Sequence, residues 1–140
     1  MALEHKYTLV CEDIRQENTG KWLIIGLYTH NITTAQLPFF MPSLAFFFCL
    51  TADAVGQHRF KVELRHLDTG TLIAPELAGA LGIQKPGPVI LPIKLPPLQF
   101  RAHGSYSISA EFEGHTEPFM TEFTVELAQM PPMPTMPFRQ

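Results

Sequence analysis

Charge is scarce in this sequence. Only 16% of its 140 residues are charged, and ten Lys and Arg against 13 Asp and Glu leave a formal charge of -3. Nucleic-acid binding rests on a concentrated basic surface, so no nucleic-acid partner is expected. Long apolar runs are missing too. A helix needs about 20 apolar residues to cross a bilayer, whereas the longest stretch, LPFFMPSLAFFFCL at 37–50, is shorter and is broken by Pro38 and Pro42. No membrane partner is expected. The opening MALEHKYTLV has no basic segment leading into an apolar one, so it does not read as a secretion signal. The expected location is cytoplasmic. The two cysteines, Cys11 and Cys49, are then reduced, and both are expected to be buried free thiols without a mutual disulfide.

Recognisable chemistry is absent as well. There is no phosphate-binding glycine loop, nucleophile elbow or zinc-type histidine pair. Six histidines invite a metal search, but His58 and His66, on one face of one strand, stand roughly 26 Å apart at about 3.3 Å per residue. His103 and His115 bracket the 105–112 segment, and His5 and His30 have no foreseeable partners. No metal and no cofactor are expected. The carboxylates Glu12, Asp13 and Glu17, and Glu111, Glu113 and Glu117, fall where edges and loops are expected. Catalytic carboxylates need a cleft and one raised pKa, so these read as solvated groups. Glu63 interrupts the cationic face of Arg59, Lys61 and Arg65. The chain is not expected to be an enzyme.

What the sequence does have is alternation with period two, the mark of strands. HRFKVELRH turns Phe60, Val62 and Leu64 inward, SYSISAEF does the same with Tyr106, Ile108, Ala110 and Phe112, and FMTEFTVEL with Phe119, Thr121, Phe123, Val125 and Leu127. EGHTEP joins the last two as an antiparallel pair, and the turns NTGK at 18–21 and DTGT at 68–71 close two further hairpins. One helical turn fits ELAGALGIQKPG, and the proline-rich PVILPIKLPPLQF suits an edge strand or a crossing between sheets. The expected fold is all-β: an antiparallel β-sandwich, immunoglobulin-like, of seven or eight strands. Residues 1–129 form one domain and 130–140 a Pro/Met-rich tail. Tyr106, after Leu98, Phe100 and Gly104, suits a tyrosine corner whose hydroxyl bonds back to upstream backbone, an ordinary core tyrosine being the alternative. Antibody-type domains are excluded, because Ile108 stands where their second cysteine belongs.

The stretch SLAFFFCL, residues 43–50, has no polar side. Phe46, Phe48 and Leu50 point one way, while Ala45, Phe47 and Cys49 point the other. WLIIGLY repeats this double apolarity, with Trp22, Ile24 and Tyr28 opposite Leu23, Ile25 and Leu27. If one set fills the core, the other needs a cover: the ELAGALGI segment, a second copy of the chain, or the tail MPPMPTMPF, which as polyproline II aligns Met130, Met133 and Met136. The expected interface comprises Trp22, Phe47, Cys49, Met130, Met133 and Met136. The expected function is a non-catalytic interaction or structural module, homo-oligomeric through an apolar sheet face or joined to an unidentified protein partner. The alternative is a small-molecule carrier or sensor using that face as a pocket.

YTLVCEDIRQENTGKWLIIGLYTHNI followed by LPFFMPSLAFFF resembles the opening of a family of small uncharacterised bacterial proteins, a domain of unknown function. The resemblance lies at Cys11, Glu12, Gly20, Ile25, Gly26, Tyr28, Pro38 and Pro42 and covers the first half of the chain. It implies a β-rich fold and a bacterial origin, and carries over no activity and no site residues.

Overall fold

The NTGK and DTGT segments turn as their glycines require. Gly20 has φ 90 and Gly70 φ 71, in the region that side chains with a Cβ avoid. The Gly20 N–H donates to the Glu17 carbonyl at 2.9 Å and the Gly70 N–H to that of His66 at 2.7 Å. The structure, a computed structural model, describes residues 3–128. In chain order the strands are β1 (Leu3–Gln16), β2 (Trp22–Tyr28), β3 (Asn31–Thr34), β4 (Phe39–Met41), β5 (Leu44–Ala52), β6 (Gly56–His66), β7 (Thr71–Leu72), β8 (Leu77–Ile83), β9 (Gly87–Leu95), β10 (Leu98–Phe100), β11 (Gly104–Phe112) and β12 (Phe119–Leu127).

Two sheets face each other. One has the order β2-β1-β5-β9; the other has β3-β12-β11-β6-β7, with β8 also paired to β6; β10 and β4 form a short ladder of their own. Between the sheets, Phe46, Phe48 and Leu50 of β5 join Val62, Leu64, Ile108, Phe112, Phe123 and Val125 in one buried core. Phe46 meets Phe123 at 5.8 Å between ring centroids. Full burial of such a side chain contributes about 1.5–3 kcal/mol, so β5, apolar along its length and central in its sheet, anchors the assembly of the layers. Tyr106 lies in the same core, stacked on Phe123 at 5.7 Å, and its hydroxyl donates to the Ala102 carbonyl. This is the tyrosine-corner bond.

Several expectations are corrected. Among the described residues there are twelve strands rather than seven or eight, and their order does not reproduce an immunoglobulin-like sandwich. Prolines divide the chain more finely than the hydrophobic pattern does: Pro38 and Pro42 bound β4, and Pro75 separates β7 from β8. The sheets are also not wholly antiparallel, since β3 runs parallel to β12. ELAGALGI holds no helical turn; as β8 it pairs with β6 from Gly56↔Ile83 to Val62↔Leu77, and in that place it gives Leu77, Leu81 and Ile83 to the inner core and none of its residues to the outer apolar cluster of the four-stranded sheet. Its ladder to β6 outweighs a weak helical preference already lowered by Gly79 and Gly82. Phe60 is half-buried and Leu127, near the end of an edge pairing, is exposed. PVILPIKL, as β9, is the expected edge strand.

Trp22, Ile24 and Tyr28 do not share a face. Trp22 and Ile24 pack on the outside of the four-stranded sheet with Cys11 and Ile14, whereas Tyr28 packs on the inner core. Strict alternation is broken between them at Gly26, whose φ is 66. A left-handed residue turns the strand over locally, so the side chains on either side of it go to opposite layers. A Cβ at Gly26 would lie 2.6 Å from the Glu12 side chain, so glycine is needed there on two counts.

Candidate interaction face

The outer side of the four-stranded sheet carries its apolar side chains in rows, because residues paired directly across neighbouring strands point the same way. One row is Tyr7, Cys49 and Ile90, the next Leu9, Phe47 and Pro92, and the next Leu27, Cys11, Ala45 and Lys94. Ile14 and Ile24 extend the apolar strip, and Trp22 closes it. Charge bounds the strip. Glu4 and Thr51 form the row beyond Tyr7. At the far end Lys94 lies 3.2 Å from Asp13, which also binds Arg15 at 3.1 Å. Arg15, the Ile14 N–H and Lys94 hold the Asp13 carboxyl below the ordinary carboxylate range.

Trp22, Phe47 and Cys49 are thus brought together, although WLIIGLY and SLAFFFCL are not adjacent: β1 lies between β2 and β5. The face largely covers its own centre. Phe47 and Cys49 are each 7% exposed and Cys11 0%, shielded by Leu9, Trp22, Ile24 and Ile90. What projects is Tyr7, 54% exposed, and Leu27, 56%. The sequence reading missed both: the alternation of Tyr7, Leu9 and Cys11 in YTLVC already placed Tyr7 on this side, whereas Leu27, read as opposite Trp22, reaches it through the turn of the strand at Gly26. Met130, Met133 and Met136 lie outside the described residues.

Both cysteines are free and buried, as expected. Burial, followed by the charge of Asp13, pushes the Cys11 thiol up to about 11. Burial also raises that of Cys49, so neither is an activated nucleophile. Sequence reasoning did not bring His58 and His115 together, yet their rings lie 6.3 Å apart, with His58 Nε2 and His115 Nδ1 buried and without hydrogen-bond partners among the described residues. No group of three or more metal-ligating side chains is found among the described residues.

Cavities of about 530, 320 and 290 Å³ are lined by β6, β8, β11, β12 and the segments beside them. The first has Arg59, Lys61, Glu111 and Glu113 around it. None of the three is lined by the apolar rows, so these cavities lend no support to the expectation of a carrier that uses that face.

No helix among the described residues is long and apolar enough to cross a membrane. No curated protein matches the sequence. One solved structure that is similar is Pseudomonas fluorescens alkylpurine DNA glycosylase AlkC bound to DNA containing an abasic site analog. The likeness covers 89% of this chain and 30% of that one, at 14% identity and a TM-score of 0.47. The chain therefore spans less than a third of that protein's length. That protein is bound to DNA, contrary to the expectation of no nucleic-acid partner, and the exclusion drawn from net charge is withdrawn. A likeness of this size carries no argument about what the present chain binds. The model of a family of unknown function matches residues 6–126, well beyond the first half in which the sequence resemblance lay, and the chain belongs to that family, DUF6941.

Proposed function

We propose that the protein is a non-catalytic interaction or structural module that assembles with a second copy of itself through the outer face of the four-stranded sheet. The observation that supports this most is the exposure of Tyr7 and Leu27 on rows of apolar side chains. A contiguous apolar patch with a charged border is the form a contact surface takes. Symmetric pairing gives such a patch a partner of identical chemistry, since one surface meets its own copy across a two-fold axis. Tyr7 suits the role, with a broad apolar ring and a hydroxyl that reaches the rim.

Leu27→Asp tests the reading better than a change at Phe47, because Leu27 is exposed and its replacement leaves the packing under Trp22 in place. The variant is expected to sediment as a smaller species than the unmodified protein while keeping its thermal transition. Unchanged mass in an assembled protein would place the contact elsewhere.

A further inference from the structure

The strand β8 ends the second sheet on one side. It pairs with β6 and with no other strand among the described residues, and most of its residues are exposed. Alternate N–H and C=O groups of such a strand point away from the sheet and stand ready to pair with another chain. Proteins guard such edges with charge, proline, a bulge or brevity. The other outer strands are guarded in these ways: β9 carries Pro88, Pro92 and Lys94, β2 is broken at Gly26 with φ 66, β3 has four residues and β7 two. Strand β8, LAGALGI, has seven residues with neither charge nor proline.

We propose that β8 is a strand-addition site for a second copy of this chain, paired antiparallel about Ala80 so that the two β6–β8 sheets become continuous. The segment is self-complementary in that register. Ala80 faces Ala80, Gly79 faces Leu81, Ala78 faces Gly82 and Leu77 faces Ile83, so every facing pair is uncharged, and two bulky residues meet only in the Leu77–Ile83 pairs at the ends. The flanks complement each other in charge: Glu76 of one copy comes opposite Gln84 of the other and beside its Lys85, twice by symmetry. No like charges are brought opposite each other within the paired segment. This surface is separate from the face bearing Tyr7 and Leu27, and the two are tested independently.

Two substitutions test the register. Ala80 pairs with Arg59 and Ala78 with Lys61 on β6, so Ala80→Glu and Ala78→Glu each gain an opposite charge within their own chain, and both should fold. Only Ala80→Glu sets two carboxylates face to face across the axis. Amide hydrogen exchange at tens of micromolar is expected to show the outward N–H groups of 77–83 protected in the unmodified protein and in Ala78→Glu, and exchanging about tenfold or more faster in Ala80→Glu. Outward amides that exchange freely in the unmodified protein overturn the proposal, as does equal protection in Ala80→Glu. A contact through Tyr7 and Leu27 would persist in Ala80→Glu, so loss of edge protection and loss of that contact are read separately.

Discussion

Trp22 and Phe47 meet with their rings nearly perpendicular, centroids 5.7 Å apart at 78°, across the strand that separates them. Neighbouring strands lie about 4.8 Å apart, so this contact takes two large rings to span β1. It seals the outer layer over Cys11 and Ala45 and makes Phe47 a structural residue first. Phe47→Ala is expected to cost about 3–5 kcal/mol, read as a lower denaturant midpoint. A loss of less than about 1 kcal/mol would mean that the outer layer contributes little to the monomer.

In the inner core, Phe123 touches Phe46, Phe100 and Tyr106. Phe123→Ala should also cost about 3–5 kcal/mol through lost transfer energy and the cavity left between the sheets. A near-neutral result in a denaturant melt would contradict the facing of the two sheets.

Tyr106→Phe keeps the stack on Phe123 and removes the hydroxyl that binds the Ala102 carbonyl. The expected cost is about 1–2 kcal/mol, since one hydrogen bond is lost and a partly buried acceptor is left without its donor. An unchanged midpoint would show that water replaces the hydroxyl without loss.

Stability should fall in alkali through Cys11. Its folded thiol is raised from 9.0 to about 11, so above about pH 9 the unfolded chain releases the proton while the folded one retains it. The contribution is fully present below pH 9 and is lost as pH rises towards 11, with two pK units corresponding to about 3 kcal/mol. Cys11→Ala should show a shallower decline over that window. Parallel declines in the two proteins would contradict the assignment.

The strands that bury one clean face were legible in the sequence, because Ile108, Phe112 and Phe123 repeat at period two between polar neighbours. So was the tyrosine corner, where spacing and turn residues coincide. The fate of ELAGALGI was not legible: seven small and apolar residues without alternation carry no period, and their pairing with β6 comes from tertiary contact. The split of Trp22 from Tyr28 depends on the conformation of Gly26, which composition does not encode. Leu27 was misplaced with it, and the neighbouring rings of His58 and His115 come from segments far apart in the chain. The Trp22, Phe47 and Cys49 face was found because a strand without a polar side is rare enough to stand out, although the part that neighbouring side chains already cover could not be read from one strand alone.

The most direct measurement of the central claim is the solution mass of the Ala80→Glu variant at tens of micromolar by sedimentation equilibrium, because that variant closes the β8 edge and leaves the face of Tyr7 and Leu27 intact. The account predicts an assembly of at least two 15.8 kDa chains, reduced to single chains when Leu27→Asp is added. A single chain in Ala80→Glu alone would contradict self-association through the four-stranded sheet.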